Sequence, residues 1–323
     1  MTSMTHSAPG GRAADRTRAP GSDSGAAVEL AGLTFRYDDF TAVDRLDLDV
    51  RIGEVFALLG TNGAGKTTTL ELIEGFRRPA EGTIRVLGLD PCRDRRALAA
   101  RTGILLQEAG LINELTTVET LRMWAGLSSR DDDVDAVLAL VELDARRDVA
   151  VERLSGGERR RLDFALAVWG RPSLIILDEP STGLDPESRQ RLWATVRDLR
   201  DAGCTVLLTT HYLAEAESLA DRVAIMHQGR VHLQGSVPEL LARHPSRIAA
   251  TMPSVWTAAL PAFKGRVQLV AEDEQTRLWV ETSTLQADLT ALLAWAADHD
   301  VALSGLTAVN ASLEEIFLQI STQ

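Results

Sequence analysis

Eight residues of this chain, Gly60 to Thr67 (GTNGAGKT), have the types and spacing of a phosphate-binding loop. The apolar run at 56–59 before them predicts a short buried strand, and the stretch at 68–76 predicts a helix. Glycine lets backbone N–H groups wrap around phosphate oxygens, and the N-terminus of a helix adds partial positive charge. Lys66 would reach the β- and γ-phosphates, and the Thr67 hydroxyl would ligate Mg²⁺. The sequence therefore predicts a nucleotide site.

Two adjacent carboxylates, Asp178 and Glu179, follow the apolar run at 174–177. An open parallel sheet binds its ligands at the C-terminal ends of its strands, so both are expected to face the same nucleotide. Asp178 suits Mg²⁺ coordination, directly or through water, and Glu179 is placed to polarise an attacking water as a general base. His211 ends another predicted strand, where it would touch the γ-phosphate and that water. The candidate catalytic residues are therefore Lys66, Glu179 and His211.

The segment Leu154-Ser-Gly-Gly-Glu158 combines a helix start with two glycines. Ser155 and Glu158 form the S-x-x-E capping box that opens a helix. Capping does not explain Gly156 and Gly157, because glycine in the first turn costs helix stability. Two glycines there would let an anion approach the backbone N–H groups closely. If one nucleotide uses both this site and the phosphate loop, the second site most simply comes from another copy of the chain.

These motifs need a parallel sheet that brings them to one edge. Four apolar, β-rich runs predict strands at 56–59, 104–106, 174–177 and 205–210. A helical pattern separates the last two and ends at Gly203, and this order predicts a parallel α/β sheet with right-handed crossovers. The segment from about 118 to 154 is predicted to be largely helical, with Asp131-Asp-Asp133 at a helix start.

A second, smaller unit is predicted from residue 246 onwards. Its segments follow the βαββαβ order of a ferredoxin-like α+β domain, with strands at 248–252, 267–270, 278–281 and 303–309 and helices at 254–263 and 285–297. An amphipathic stretch, 313–320, closes it. The tryptophans of this unit are predicted to be core residues: Trp256, Trp279 and Trp295. The predicted organisation is a disordered tail (1–27), an α/β domain (28–245) and this α+β domain (246–323).

Composition and charge exclude several classes of protein. The 323 residues include 34 Lys and Arg against 46 Asp and Glu, a net charge of −12. Such a surface repels phosphate backbones, which argues against a nucleic-acid binder that works by bulk charge, although a local basic groove would escape that argument. Two distant cysteines, Cys92 and Cys204, exclude a disulfide framework and a Cys-based zinc site and fit a reducing cytosol. No apolar run approaches the roughly 18 residues that a membrane span needs.

Together the motifs resemble the ATP-binding subunits of ABC transporters over about residues 28 to 245. The resemblance implies a P-loop fold with a mostly parallel sheet, an antiparallel β subdomain and a helical subdomain. On this reading Gly60 to Thr67 is the Walker A loop, Asp178 and Glu179 are Walker B, and Leu154 to Glu158 is the signature. The common family signature ends in Gln, whereas this chain has Glu158.

Further residues take roles from the same resemblance. Gly183-Leu-Asp185 is the D-loop, and His211 is the switch histidine. Gln107 matches the glutamine loop that senses Mg²⁺ and faces the membrane subunit, and Tyr37 matches the aromatic that stacks on adenine, although Tyr37 fits a core strand position too. Asp185 is also expected to cap a helix before Pro186. The residues assigned to ATP are Tyr37, Gly60, Asn62, Gly63, Ala64, Gly65, Lys66, Thr67, Thr68, Gln107, Ser155, Gly156, Gly157 and Glu158, and those assigned to Mg²⁺ are Thr67, Gln107 and Asp178.

Within the family, the chain is similar to drug- and antibiotic-exporter ATPases of the daunorubicin-resistance type, which carry a similar small C-terminal domain. The similarity rests on Tyr37 and the segments at 155–161, 210–217 and 313–317. It implies an ATP hydrolase at the cytoplasmic face of the cell membrane, working as a homodimer around two ATP molecules with a separate integral-membrane permease. The segment from Gln107 to about Leu121 would dock on that permease, although its apolar residues fit an ordinary core equally well. Exporters of lipid, ion or polysaccharide remain alternatives.

Two other functions compete with export. The first is a soluble ABC ATPase that acts on nucleic acid, ribosomes or iron–sulfur assembly. The net charge of −12 and the single nucleotide domain disfavour it, and no nucleic-acid partner is expected. The second is a regulatory binding module with incidental turnover, which the complete pair Asp178 and Glu179 disfavours. The transported substrate cannot be read from these residues.

Overall fold

The computed structural model describes residues 25–107 and 110–321. Its strands are β1 (Ala26–Tyr37), β2 (Phe40–Arg51), β3 (Val55–Gly60), β4 (Glu81–Val86), β5 (Thr102–Leu105), β6 (Leu174–Asp178), β7 (Thr205–Thr210), β8 (Arg222–His227), β9 (Arg230–Ser236), β10 (Ser246–Pro253), β11 (Arg266–Glu272), β12 (Gln275–Thr282) and β13 (Ser304–Val309). Its α-helices are α1 (Lys66–Ile73), α2 (Arg95–Ala99), α3 (Thr117–Leu127), α4 (Val134–Leu140), α5 (Gly156–Val168), α6 (Pro186–Asp201), α7 (Leu213–Leu219), α8 (Val237–Ala242), α9 (Leu285–Asp298) and α10 (Leu313–Ser321). None of the helices in the described ranges is long and apolar enough to cross a bilayer.

The central sheet contains six strands in the order β5-β6-β7-β3-β8-β9. Its strands pair in parallel except β9, which runs antiparallel to β8 at one edge. Every residue of β3, β6 and β7 is buried, as expected for parallel strands covered on both faces. The four apolar runs of the sequence correspond to β3, β5, β6 and β7, which confirms the predicted α/β fold.

A separate antiparallel sheet, in the order β2-β1-β4, packs beside the central one. Its apolar face shares a core with β3 and α1 that includes Val28, Leu33, Val43, Phe56 and Leu70. The turn between β1 and β2 separates Tyr37 from Phe40, and both residues line the same cleft as the loop at 60–68. Because β1 begins at Ala26, it starts two residues inside the predicted tail, whose residues 1–24 lie outside the described ranges.

The predicted helical segment folds as α3 and α4, followed by two short 3₁₀ turns at 144–146 and 151–153. Asp133 caps α4 by accepting hydrogen bonds from the backbone N–H groups of Asp135 and Ala136, so the acidic run does mark a helix start. Helices α3, α4 and α5 share one hydrophobic core with the central sheet. This core includes Leu121, Leu138, Leu162 and Trp169. This core fixes α5, whose N-terminus carries the signature.

The C-terminal unit is a four-stranded sheet in the order β11-β12-β10-β13, with every neighbouring pair antiparallel. This is the arrangement of a ferredoxin-like domain. Helix α9 covers one face of the sheet, and the shared core contains Ile248, Leu278, Val280, Leu292 and Trp295. Trp256 packs against this core at its edge, with its ring centroid 6.4 Å from that of Trp295.

Two predictions for this unit are wrong. The helix predicted at 254–263 is a six-residue 3₁₀ helix, Ser254–Ala259. Pro261 has no N–H to continue a helix, and the β-branched Val255 is disfavoured in one. Trp279 is not a core residue: it faces away from α9 and lies half-buried between two arginines, with the Arg247 and Arg277 Cζ atoms 5.5 and 4.8 Å from its ring centroid. Every residue of β11, at one edge of the sheet, is exposed.

The last helix, α10, packs on the α/β domain. Leu313 and Ile316 are buried in the core that also contains Ala216 and Leu219 of α7. The backbone N–H of Leu313 donates to the Glu217 carboxylate at 3.2 Å. The predicted boundary at residue 246 therefore separates two sheets, but the end of the chain joins the first domain again.

Candidate active site

A cleft of about 790 Å³ opens at the C-terminal edge of the central sheet. Its lining includes most of the predicted site residues: Tyr37, Gly60, Asn62, Gly63, Gly65, Lys66, Thr67, Thr68, Gln107, Glu179 and His211. Ala64 and Asp178 are buried behind this lining, at 2% and 4% exposure. Ser155 to Glu158 are not among the described residues that line the cleft. The chain thus brings its phosphate loop and the carboxylate of Glu179 together in one place and leaves the signature segment elsewhere.

The phosphate loop connects β3 to α1 through a tight turn. Gly65 precedes α1 with a φ of 102°, in the left-handed region that favours glycine. A Cβ atom at Gly65 would lie 2.4 Å from the Ala42 carbonyl oxygen, so the neighbouring β2 strand also requires glycine here. Because Thr67 and Thr68 line the cleft, the first turn of α1 presents its N–H groups to an anion bound there.

The Lys66 ammonium is hydrogen-bonded to the backbone of the phosphate loop. Its Nζ donates to the Gly60 carbonyl oxygen at 2.8 Å and to the Thr61 carbonyl oxygen at 3.3 Å. Burial lowers the pKa of this ammonium, and the carboxylates of Glu179 and Asp178 oppose the shift. A cation that has lost much of its hydration is well placed to bind phosphate oxygens instead.

Thr209 of β7 ties the two carboxyl residues to the sheet. It lies directly opposite Asp178 in the parallel register. Its hydroxyl donates to Asp178 Oδ1 and accepts from the Glu179 backbone N–H at 3.0 Å. Glu179 itself has a φ of 45°, a conformation uncommon for residues other than glycine. Sequence reasoning missed Thr209; the available signal was its place in the strand that pairs with β6.

The Glu179 carboxylate contacts two other side chains at the cleft. His211 Nδ1 lies 3.3 Å from Glu179 Oε2. The Thr182 hydroxyl donates to the same oxygen, also at 3.3 Å. The carboxylate is 14% exposed, so it is mostly shielded while still reaching the cleft. This arrangement fits a general base whose position is fixed before substrate binds.

A half-buried carboxyl group, that of Glu74, also lies near Asp178. Burial raises the pKa of Glu74, at the C-terminal end of α1, to about 8, and the charges of Asp178 and Glu71 add to the shift. Glu74 therefore carries a proton at neutral pH for most of the time. It adds little negative charge beside Asp178, which leaves the charge of that carboxylate available to a cation.

Three aromatic residues surround the mouth of the cleft. Tyr37 is 37% exposed; its hydroxyl donates to Glu71 Oε2 at 3.3 Å, and the Arg77 Cζ lies 4.7 Å from its ring centroid. Phe40 is 64% exposed, and Phe317 reaches the cleft from α10. The sequence singled out only Tyr37, whose contact with adenine stays a prediction. Phe40 was close enough in sequence to suspect, whereas only the tertiary fold brings Phe317 here.

The signature segment opens α5 with the predicted capping box. The Ser155 hydroxyl accepts from the Glu158 N–H at 3.2 Å, and Glu158 Oε2 accepts from the Ser155 N–H at 2.8 Å. A Cβ at Gly156 would meet nothing within 4 Å, and one at Gly157 would meet only Leu184, at 3.7 Å. Packing within the chain therefore does not demand either glycine. Because the two glycines have no side chains, the N-terminus of α5 is open to an incoming ligand.

Two family models match the chain. Residues 43–182 match the ABC transporter model, and residues 246–312 match the model of the C-terminal domain of ABC transporter domain-containing protein-like proteins. Among curated relatives, the daunorubicin/doxorubicin resistance ATP-binding protein DrrA of Streptomyces peucetius is 36% identical over 91% of this chain and 92% of its own length. The Nod factor export ATP-binding protein I of Cupriavidus metallidurans is 38% identical over 78% of this chain and 84% of its own length.

Solved structures show the same fold. The ATP-binding subunit of an ABC transporter aligns with a TM-score of 0.62 and 29% identity, over 66% of this chain and 91% of the solved one. A dimeric bacterial ABC transporter cassette aligns with a TM-score of 0.59 and 22% identity, over 65% and 98%. At that identity the second match supports the architecture of the cassette alone.

Proposed function

This chain belongs to the ABC transporter family as an ATP-hydrolysing subunit of exporter type, and we propose that two copies of it drive export through a separate integral-membrane permease. The relatives named for daunorubicin resistance and for Nod factor export support the direction of transport. They favour a drug, an antibiotic or another hydrophobic compound as the substrate. We place the subunit at the cytoplasmic face of the membrane, where cytosolic ATP is available.

One observation carries the proposal of a dimer: the signature lies outside the cleft that contains the phosphate loop of the same chain. The N-terminus of α5 is open at Gly156 and Gly157 and suits an anion. In a head-to-tail pair, Ser155 to Glu158 of each copy would cover the nucleotide bound at Lys66 of the other. Each ATP would then join the two copies, and its hydrolysis would let them separate.

Residues that line the cleft, together with Asp178 buried behind them, suit Mg²⁺ with ATP. Thr67 offers a hydroxyl, Gln107 an amide oxygen and Asp178 a carboxylate, which are the oxygen ligands this ion prefers. Asp178 accepts from Thr209 through Oδ1, so its second carboxyl oxygen is oriented by that hydrogen bond. When bound, the ion would neutralise charge on the phosphates during transfer.

Each protein group then has a defined task in hydrolysis. Lys66 and the N–H groups at the start of α1 would hold the phosphates, and Tyr37 would stack on the base. Glu179 would accept a proton from the attacking water, and His211 would hold the γ-phosphate beside it. Because His211 and Thr182 already contact the Glu179 carboxylate, the general base needs little rearrangement.

Glutamine at position 158 is expected to preserve ATP hydrolysis. The Glu158→Gln side chain can still accept from the Ser155 N–H, so we expect a kcat within about threefold of the unchanged protein. The ion pair with Arg146 would be lost, but the Arg146 side chain is 53% exposed (Glu158 15%), so solvent screens the pair and its loss should cost at most about 1 kcal/mol. Steady-state phosphate release gives the rate, and Glu158→Ala, which removes the acceptor, should lower the unfolding temperature. A fall in kcat beyond about a hundredfold for Glu158→Gln would refute the capping account.

We propose a smaller docking surface than the predicted segment from Gln107 to about Leu121. Leu111 packs against the core, whereas Ile112 is 43% exposed and Leu106 is 41% exposed. Exposed apolar side chains on one loop suit contact with a helix of the permease. We therefore assign docking to Leu106 and Ile112, next to Gln107 at the cleft.

A membrane-association experiment tests export through a separate permease. We expect Ile112→Asp to lower the fraction of chain recovered with membranes of cells that make the whole complex by about tenfold, because a charge would be buried in an apolar contact. The matched control is Ile52→Asp, which adds the same charge at an isoleucine that is 62% exposed and lies away from the cleft. Equal loss in both variants, or recovery of the unchanged chain only with soluble proteins, would contradict the proposal.

A further inference from the structure

Arg160 is a buried arginine in the second turn of α5, five residues after Ser155. Its guanidinium reaches the ends of two strands, where, among the described residues, it donates to five backbone carbonyl oxygens. On one side Nη1 bonds Leu106 at 2.7 Å and Gln107 at 3.3 Å. On the other side Nη2 bonds Asp178 at 2.8 Å and Glu179 at 3.0 Å, and Nε bonds Pro180 at 3.2 Å.

This arrangement is unusual for a buried charge. Arginine is rarely buried unless it is paired with a carboxylate. Arg160 is 9% exposed, and within the described ranges it forms no direct ion pair, although the carboxylates of Asp163, Asp178 and Glu179 are near enough to attract it. Five carbonyl oxygens satisfy the guanidinium instead. The backbone at both strand ends is therefore arranged around this one side chain.

The backbone to which Arg160 is hydrogen-bonded includes Glu179, which has an uncommon backbone conformation. Glu179 has a φ of 45°, and such a conformation persists only where its surroundings fix it. Thr209 fixes the N–H side of Glu179, and Arg160 fixes its carbonyl side and those of the residues before and after it. The direction of the Glu179 side chain into the cleft follows from this turn.

We propose that Arg160 is a positioning residue that couples the glutamine loop and the signature helix to the general base. This inference rests on the proposed role of Glu179 and goes beyond it. Arg160 does not line the cleft, so it acts through backbone that it holds. A movement of Gln107, caused by docking of the permease, would pass through the guanidinium to the turn at Glu179. The same guanidinium would move with α5 and hence with Ser155, which we expect to meet the ATP of the other copy.

Only arginine fits this place. The guanidinium has five N–H donors in a rigid planar fork, and here the fork bridges two separate loops. Lysine keeps the charge and much of the length but has one ammonium, which cannot bond both strand ends at these distances. Arg160→Lys therefore separates the bridging geometry from the charge.

The test compares Arg160→Lys with Arg130→Lys. Arg130 is half-buried, and burial lowers the pKa of both guanidinium groups. It donates to the Thr102 carbonyl oxygen at the start of β5, away from the cleft. We expect Arg160→Lys to lower kcat for ATP hydrolysis by about 10- to 100-fold while KM stays within about threefold, because a displaced base affects the chemical step. Arg130→Lys should leave both kinetic constants unchanged within about twofold at a similar loss of thermal stability.

A double variant shows whether Arg160 acts through Glu179. In a Glu179→Gln background, Arg160→Lys should cause no further fall in kcat, because the group it positions has already been removed. An additive loss, a loss expressed only in KM, or full activity of Arg160→Lys would overturn the proposal. If Arg160→Lys does not fold, Arg160→Gln, which keeps two donors without the charge, is measured in the same way. Full activity of Glu179→Gln alone would instead contradict the general-base assignment.

Discussion

Replacement of Glu179 by glutamine is expected to lower kcat for ATP hydrolysis by about 10²- to 10⁴-fold, the usual contribution of a general base. Glutamine has nearly the same shape, so its contacts with His211 and Thr182 can persist. It does not accept a proton from water at neutral pH. The phosphate loop is unchanged, and ATP affinity is therefore expected to stay within about threefold.

Phosphate release and equilibrium binding of ATP measure the two effects separately. Glu187→Gln is the matched control, because Glu187 is 78% exposed on α6 and does not line the cleft. It should leave both quantities unchanged. The base assignment is wrong if Glu179→Gln keeps a kcat within about threefold of the unchanged protein.

Removal of the Lys66 ammonium is expected to weaken ATP binding by about 100-fold, since a charge-assisted hydrogen bond to phosphate in a partly dry site contributes about 3 kcal/mol. Lys66→Ala also removes a cation from the region where charge develops, so hydrolysis should become undetectable. In the free protein, the ammonium is buried and its pKa is lowered by that burial. Its removal should not destabilise the fold, and a loss of binding cannot then be ascribed to unfolding.

Lys264 provides an unusually direct control, because Lys66 and Lys264 are the only lysines of the chain. Lys264 is exposed in the C-terminal unit, on the loop before β11. Lys264→Ala should bind ATP as the unchanged protein does. Titration with ATP measures the affinity of both variants, and their unfolding temperatures show whether each is folded. Equal ATP affinities of Lys66→Ala and Lys264→Ala would show that Lys66 does not hold the phosphates.

The parts of the site that the sequence predicted have local signals. The phosphate loop needs its glycines and lysine within eight residues, between a strand and a helix. The capping box at Ser155 and the cap at Asp185 depend on contacts within four residues, and both are present in the structure. Asp178 and Glu179 were placed at the sheet edge by a rule about the ends of parallel strands.

The parts that the sequence missed depend on contacts between distant segments. Thr209 meets Asp178 only because β6 and β7 pair in parallel, and Arg160 contacts residues about twenty and fifty positions away. Phe317 reaches the cleft because α10 packs on α7. Trp279 was misplaced because a tryptophan on a strand fits either face of a sheet, and the register decides between them.

We expect each ATP to bind between two copies of this chain, at the phosphate loop of one and the signature of the other. Light scattering of Glu179→Gln, which binds ATP but turns it over slowly, tests this most directly. We expect a mass of two chains with ATP and Mg²⁺ and a mass of one chain with ADP or without nucleotide. A single chain with ATP bound would contradict it.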